Sequence, residues 1–315
     1  MTLIGHDAAW AAWRRAASGE RMHHAWLLAG KQGLGKATFA QAAARELLGT
    51  TDAAAHPDIL NLTHAAKDDK EDRKRADGKP FEKARSIRIA QIRSMQQRLI
   101  TRPTLGEKRV VIIDPADDLE RNAANALLKS LEEPPQGTYF LLIAHRPARL
   151  LPTIRSRCRT LRFSSLPDAA MHDLLDRLSD NTDSASREAA VRAAAGSPGA
   201  ALSFLRMDLG KAGALMKSIV EGGDRGFALR GALAGVIGGR PDRERLQAVL
   251  DLARATLAQR LEASSHAPEP LIEAHGELVR LTAEQPTYNY DAGLLAMEIG
   301  TLLAQAGAAS ASADG

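Results

Sequence analysis

A glycine-rich loop between an apolar run and a helical pattern constrains this sequence most. Residues 30–37 read GKQGLGKA and directly follow the apolar run AWLLA at residues 25–29. The spacing is that of a phosphate loop, G-x-x-x-x-G-K, with a strand before it and a helix after it. The glycines let backbone N–H groups close around phosphate oxygens, and Lys36 would lie on the β/γ side. The loop therefore predicts a site that can hold a nucleotide.

The loop is poorly equipped to hydrolyse that nucleotide. The lysine is followed by Ala37 where a hydroxyl would ligate Mg²⁺, and Thr38 comes one residue late, about 100° further around the helix. The buried run RVVIID at residues 109–114 ends in Asp114, which is well placed to bind Mg²⁺ or its water. Pro115 follows, and it can do no acid–base chemistry.

Two further features also argue against hydrolysis of a bound nucleotide. Asp117 and Asp118 lie about one helical turn beyond the strand, and we expect solvated carboxylates near the positive end of a helix dipole. The next apolar run, residues 138–143, leads into Ala144. An active ATPase with such a phosphate loop would carry a polar residue at this position to sense the γ-phosphate.

A basic cluster follows at residues 150–158, LLPTIRSRC. One interpretation is a solvated surface stretch, since the chain has 42 Lys and Arg residues. The other is an arginine finger, because a planar guanidinium can stabilise the γ-phosphate of a neighbouring subunit's ATP.

These elements together carry a family resemblance. The phosphate loop, Asp114, residues 122–135 (NAANALLKSLEEPP) and the triplet Ser156, Arg157 and Cys158 occur in that order at AAA+ clamp-loader spacing. The chain resembles the AAA+ subunits of bacterial DNA polymerase III clamp loaders, and among them the delta-prime type. The resemblance covers about residues 1–205 by motif. The block with its triplet is highly specific, whereas the phosphate loop alone is not.

The resemblance implies a subunit of the DNA replication machinery that is largely inactive as an ATPase. The motor subunits of the gamma/tau type keep a hydroxyl after the loop lysine, a Glu after the strand Asp and an Arg in the lid, where this chain has Gly199. Arg157, with Ser156 and Cys158 of its motif, would be donated in trans to a neighbouring motor. The chain would belong to the DNA-directed DNA polymerase holoenzyme without being the polymerase. An active gamma/tau-type motor is the alternative, and a P-loop kinase is a more distant one that leaves the triplet unexplained.

The resemblance also implies sites and partners. A weak or vestigial nucleotide site would be formed by Gly30, Gly33, Gly35, Lys36, Thr38 and Asp114. No cofactor would be required, and ATP or ADP would bind without turnover. We expect no zinc, since residues 49–55 lack the four-cysteine module of many relatives and Cys158 is the only cysteine. Partners would be the gamma/tau motors and the delta subunit, with the sliding clamp contacted indirectly or weakly and primer–template DNA reached through the assembled complex.

Length and composition limit the number of domains, the cellular compartment and the kinds of partner that the chain can have. A chain of 315 residues should form two or three domains, and a single cysteine indicates a reducing compartment. The start of the chain lacks a signal pattern and no apolar run reaches membrane-spanning length, so we expect a cytoplasmic protein. A net charge of +4 is too weak to argue for DNA binding, and 4% aromatic residues predict no stacking platform for single strands.

The pattern along the chain predicts an α/β domain followed by helices. Strands are expected at residues 25–29, 59–62, 110–114, 139–144 and 160–163, in a parallel sheet with helices on both faces. The predicted parts are an AAA+ P-loop domain at 1–165, a helical lid at 166–207, a helical collar for oligomerisation at 208–307 and a disordered tail at 308–315. Residues 67–85 are predicted to be a mobile, solvated loop, and DNA contact is its less favoured alternative.

Overall fold

The computed structural model describes residues 5–19, 21–50, 56–178, 184–264, 268–285 and 290–313. Predictions for the start of the chain, for most of the cysteine-free stretch at 49–55 and for residues 314–315 of the tail therefore lie outside the described residues. The chain divides into two compact units, residues 1–165 and 166–315.

The first unit is built on a five-stranded sheet in which every neighbouring pair of strands is parallel. The strands are β1 (Ala25–Ala29), β2 (Ile59–Leu62), β3 (Arg109–Ile113), β4 (Thr138–Ala144) and β5 (Arg159–Arg162). Their order across the sheet is β2-β3-β4-β1-β5, which places β1 between β4 and β5. The predicted parallel sheet is confirmed: β3 and β5 each begin and end one residue earlier than predicted, and β4 begins one residue earlier.

Helices cover both faces of this sheet, as predicted. Alternate residues of a strand point to opposite faces, so Trp26 packs in the core that contains Trp13 and Phe39, whereas Leu27 packs in the core that contains Ile92 and Leu127. The helices of this unit are α1 (Asp7–Ala17), α2 (Lys36–Leu48), α3 (Asp69–Ala76), α4 (Ile89–Leu99), α5 (Arg121–Glu132) and α6 (Pro152–Arg155).

The charged segment at residues 67–85 differs from the predicted loop, because it contains α3. The Asp68 side chain caps this helix by accepting the backbone N–H of Glu71 at 2.9 Å. Acidic residues occupy its first turn and basic residues its last, which complements the helix dipole. The buried Glu71 also accepts the backbone N–H of Glu82 at 2.7 Å and so ties the helix to the returning chain. The prediction of a structureless loop is wrong because capping and charge order stabilise a helix without an apolar face.

Every regular secondary-structure element among the described residues of the second unit is a helix. Its helices are α7 (Asp168–Leu178), α8 (Ser184–Ala194), α9 (Pro198–Arg206), α10 (Gly210–Gly222), α11 (Ala228–Ile237), α12 (Arg243–Ala263), α13 (Glu269–Glu284) and α14 (Ala292–Ala313). This confirms the predicted helical region after the sheet. The division of the region into lid and collar stays a prediction. No described helix has the length and apolar character needed to cross a membrane.

The end of the chain also differs from its prediction. Residues 308–313 belong to α14 and are not a disordered tail. The helix is held by buried Leu303 and Ala306, and the small residues that follow include alanines, which have the highest helix propensity.

Candidate nucleotide site and arginine motif

The phosphate loop lies at the carboxyl end of β1, between the ends of β4 and β5. The Gly30 N–H donates to the Ala144 carbonyl at 3.2 Å, and a Cβ at Gly30 would lie 2.3 Å from the Phe163 carbonyl oxygen. Gly33 and Gly35 have φ values of 80° and 78°, the left-handed region that favours glycine. The path of the backbone therefore requires glycine at each of these three positions.

Lys36 begins α2 and folds back into the loop. Its side chain is buried, and its ammonium donates to the carbonyl oxygens of Gly30 at 2.6 Å and Lys31 at 2.5 Å. Burial lowers the pKa of Lys36 to about 8, although the nearby carboxylates of Asp114 and Asp117 oppose this shift. The ammonium is thus a desolvated donor at the centre of the loop. Such a group suits a phosphate ligand, whose charge would compensate its lost hydration.

The position that should ligate Mg²⁺ is occupied by the exposed Ala37 in the first turn of α2. Thr38 follows, half-buried and about 100° further around the helix. The ligand position therefore carries no hydroxyl.

Asp114 follows the last residue of β3, and its carboxylate interacts electrostatically with Lys36. Burial raises the pKa of the Asp114 carboxyl, while Lys36 and His64 act in the opposite direction. The Nε2 atom of His145 lies 4.0 Å from an Asp114 carboxylate oxygen. Burial, followed by the charge of Lys36, lowers the pKa of His145 to about 4, so this imidazole is neutral at physiological pH.

His145 is a site residue that the sequence reasoning missed. Attention fell on Ala144, the last residue of β4, which is buried. The next residue carries the polar group that reaches Asp114. The available signal was its place directly after a strand that neighbours β1, at the edge where parallel strands bring their carboxyl ends together.

Asp117 and Asp118 differ from the expected solvated carboxylates. They lie in a short 3₁₀ turn, Ala116–Asp118, and Asp117 is buried. Its carboxylate accepts the backbone N–H groups of His145 and Arg146, both at 2.9 Å. Asp118 lies 3.2 Å from His64, whose hydrogen bond lowers the pKa of the aspartate. The two carboxylates thus organise the loops after β3 and β4.

The Ser-Arg-Cys triplet connects α6 to β5. The Arg157 guanidinium donates to the Thr153 carbonyl at 2.9 Å and lies 2.6 Å from a carboxylate oxygen of Glu132, at the end of α5. The Ser156 hydroxyl donates to the same Thr153 carbonyl at 3.0 Å. Cys158 packs against the α4–α5 core, and burial raises the pKa of its thiol to about 12. Ser156 and Cys158 therefore shape the turn, and Arg157 is its charged tip.

Comparison with known proteins places these motifs in a family. The family described as DNA polymerase III, delta subunit, matches residues 5–167, just over half of the chain. The chain belongs to this family. The matched residues include both the phosphate loop and Arg157.

Relatives of this delta-subunit family member include proteins named DNA polymerase III subunit delta′ and proteins named DNA polymerase III subunit gamma/tau. The protein of Pseudomonas aeruginosa is 37% identical over 51% of this chain and 48% of its own length, and that of Escherichia coli is 32% identical over 60% and 56%. A DNA polymerase III subunit gamma/tau of Mycobacterium tuberculosis is 30% identical over 64% of this chain and 36% of its own length. The chain spans about half the length of the delta′ relatives it matches.

A solved structure supports the fold of this delta-family chain. The gamma subunit-related DNA polymerase III protein of Thermotoga maritima is 17% identical, with a TM-score of 0.54 over 96% of this chain and 99% of that chain. At this identity the likeness extends to the fold alone.

The structure gathers most, but not all, of the predicted site residues of this family member. Gly30, Gly33, Gly35, Lys36, Thr38 and Asp114 belong to the carboxyl edge of the sheet. Arg157 precedes β5 and so lies at the opposite side of the sheet, where the strands begin. His24, which precedes β1, lies at the same side, and its ring contacts the carbonyl of Leu131, the neighbour of Glu132, at 2.8 Å. The chain's own phosphate loop and its Arg157 are therefore not brought together.

Proposed function

We propose that this chain is a delta-prime-type subunit of a DNA polymerase III clamp loader, largely inactive as an ATPase. It donates Arg157 in trans to the nucleotide site of a neighbouring motor subunit. The single observation that carries this proposal is the placement of Arg157 at the sheet edge opposite the chain's own phosphate loop.

The register of β1 and β5 gives the scale of that separation. Arg159 pairs with Trp26, and Arg162 pairs with Ala29, directly before the loop. Four residues of parallel strand from Trp26 to the loop span about 13 Å, and Arg157 precedes Arg159 by two more residues. This distance exceeds the reach of an arginine side chain. A guanidinium in this position can serve a phosphate only if another subunit brings that phosphate to it.

The loop itself supports a site that holds nucleotide without turning it over. Lys36 and Asp114 supply the charges for phosphate and Mg²⁺, but Ala37 lacks the ligating hydroxyl and Pro115 lacks the base that would activate water. The lid position holds Gly199 instead of an arginine. Any ATP or ADP bound here would be held without being hydrolysed.

In the proposed mechanism the chain joins gamma/tau-type motors and a delta subunit. Arg157 stabilises charge that develops on the γ-phosphate of the neighbour's ATP, which favours closure and hydrolysis there. A finger supplied in trans to GTPases is worth about 10³–10⁵ in rate. The assembly so driven opens the sliding clamp and places it on primer–template DNA, which this subunit touches through the nucleic-acid backbone only.

The test is ATP turnover by the loader reconstituted with its own motor and delta subunits, with clamp and DNA present. We expect Arg157→Ala to lower turnover by at least about tenfold. Lys36→Ala should change turnover less than twofold or so. Arg155→Ala is the matched control, because Arg155 is an exposed arginine two residues away, at the end of α6.

The second candidate is an active gamma/tau-type motor. The retained Gly35, Lys36 and Asp114 favour it, as does the identity to the mycobacterial gamma/tau subunit. If Lys36→Ala abolished turnover and Arg157→Ala had no effect, the chain would be this motor. The P-loop kinase alternative has no support from the family to which the chain belongs.

A further inference from the structure

One carboxylate neutralises the arginine that the proposed function assigns to a neighbouring subunit. The Nη2 atom of Arg157 lies 2.6 Å from Oε1 of Glu132. Among the described residues, neither of these two side chains forms another ion pair. Arg155 and Arg159, two residues before and after Arg157, have no ion-pair partner in the part of the chain that the structure describes. The Glu132 carboxylate is therefore matched to Arg157 and not to the basic segment as a whole.

The backbone that carries Glu132 is held by contacts on two sides of α5, the helix that Glu132 ends. The His24 ring contacts the carbonyl oxygen of Leu131 at 2.8 Å. The side-chain amide of Gln96, on α4, donates to the Ser130 hydroxyl at 3.1 Å. Leu131 is also buried in the core between these helices. The fold thus places a carboxylate at a fixed point beside the arginine.

The contacts of Arg157 leave its guanidinium free to change partner. Nη1 donates to the Thr153 carbonyl at 2.9 Å, and a guanidinium has five N–H donors, more than these contacts use. The Arg157 and Glu132 side chains are 35% and 48% exposed. An ion pair with this exposure changes an equilibrium constant by at most about fivefold. Another anion can therefore take the place of Glu132 while the contact with Thr153 stays.

The anion that fits this exchange is a terminal phosphoryl group. Near neutral pH it carries more negative charge than a carboxylate. Its oxygens also match the planar fork of N–H donors that a guanidinium presents. The register of β1 and β5 puts the chain's own phosphate loop beyond the reach of Arg157. The phosphoryl group therefore comes from nucleotide held by a neighbouring subunit, as the proposed function assigns.

We infer that Glu132 competes with the neighbour's ATP for Arg157, and so raises the ATP concentration that the neighbouring motor needs. In the free chain the carboxylate neutralises the arginine. In the assembled loader the γ-phosphate must displace the carboxylate, so the affinity for ATP is reduced by the fraction of chains in which the ion pair is broken. With ADP, which has no γ-phosphate, the ion pair stays formed. The inference rests on the proposed function, since it concerns the arginine donated in trans.

The test measures the ATP concentration that gives half-maximal turnover by the loader reconstituted with its own motors, delta subunit, clamp and DNA. Only the turnover that Arg157→Ala removes is compared, because it belongs to the site that this arginine serves. Glu132→Gln keeps the size of the side chain and removes its charge, so the half-maximal concentration should fall about two- to fivefold. The difference from wild type should shrink at high ionic strength, because salt screens an exposed ion pair.

Further variants assign the effect to the ion pair. Glu133→Gln changes the adjacent exposed glutamate, which has no ion-pair partner among the described residues, and should leave the half-maximal concentration unchanged. Glu132→Gln combined with Arg157→Ala should behave as Arg157→Ala alone, because the carboxylate acts only through the arginine. Glu132→Asp keeps the charge on a shorter side chain and should give a value between those of wild type and Glu132→Gln.

The outcomes separate the two proposals. If Arg157→Ala leaves turnover unchanged, the proposed function fails, and this inference fails with it. If Arg157→Ala lowers turnover while Glu132→Gln leaves the half-maximal ATP concentration as in wild type, or raises it, the inference alone is overturned. It is also wrong if Glu132→Gln lowers only the maximal turnover, since the carboxylate would then hold the arginine in its productive position. An equal effect of Glu133→Gln would mean that surface charge in general, and not this ion pair, sets the ATP requirement.

Discussion

The guanidinium of Arg157 lies 2.6 Å from a carboxylate oxygen of Glu132. Both residues come from the two most specific motifs of the sequence, and the structure joins them at the amino edge of the sheet. The two side chains are 35% and 48% exposed. An ion pair with this exposure is weak, so a neighbouring phosphate can readily replace the carboxylate.

Glu132→Gln should therefore change the free energy of unfolding by less than about 1 kcal/mol. Urea unfolding of the purified chain measures this, with wild type as reference. A substantially larger loss of stability would mean that the pair supports the fold and does not merely hold the arginine.

Lys36 should make stability depend on pH in alkaline solution. Its pKa in the folded chain is about 8, against 10.5 for an ordinary lysine. Between these values the unfolded chain binds more protons than the folded one, so stability due to Lys36 rises with pH from about 8 to 10.5. The rise is at most about 1.4 kcal/mol per pH unit for one proton.

Lys36→Met removes this contribution, so the difference between variant and wild type isolates it from other titrating groups. Urea unfolding at several pH values between 7.5 and 10 provides the measurement. An equal pH dependence in both proteins would contradict a desolvated Lys36.

Asp58 should be among the most sensitive positions of the first unit. It is fully buried, accepts the backbone N–H groups of Thr104 and Leu105 at 2.7 and 2.8 Å, and lies 3.4 Å from buried Arg109. Asp58→Ala leaves that guanidinium without its carboxylate and should cost about 3–5 kcal/mol.

The control for Asp58 is Asp72→Ala, which breaks an exposed helical pair with Arg75 at 2.7 Å. That change should cost less than about 1 kcal/mol. Denaturant unfolding of both variants decides the point, and similar losses would refute the importance of burial.

Gly30→Ala should destabilise the sheet unit through a clash and not through loss of phosphate contacts. The new methyl group would lie 2.3 Å from the Phe163 carbonyl oxygen, so a backbone shift is required. The expected cost is about 1–3 kcal/mol or more. Gly106→Ala is its control, since a Cβ there meets nothing within 4 Å, and it should change stability by no more than about 1 kcal/mol. Thermal unfolding of nucleotide-free protein would reveal equal stabilities if the clash were absent.

The sequence predicted the centre of the sheet well because β1, β3 and β4 are short runs of largely apolar residues buried on both faces. The run at residues 110–113, Val-Val-Ile-Ile, is a continuous apolar run of the kind that forms a central parallel strand, and it lies in β3. The phosphate loop was equally predictable, because its glycines are required by the local backbone conformation.

What escaped prediction depends on contacts between distant parts of the chain. Asp117 is buried because the backbone N–H groups at residues 145 and 146 converge on it. The helix α3 has no apolar face to reveal it, and its buried Glu71 is satisfied by Glu82, eleven residues away. His145 was missed because its role depends on the approach of its ring to Asp114, which follows a different strand, and the sequence pattern does not show that contact.

The burial of the Cys158 thiol has a practical consequence. A thiol with a pKa of about 12 has almost no thiolate at neutral pH, and the thiolate is the reactive species. Because Cys158 is the only cysteine, a second one engineered at an exposed position would react alone with a maleimide dye. The native chain would therefore take up little dye in experiments that follow loader assembly by fluorescence, and no residue of the arginine motif would have to be replaced.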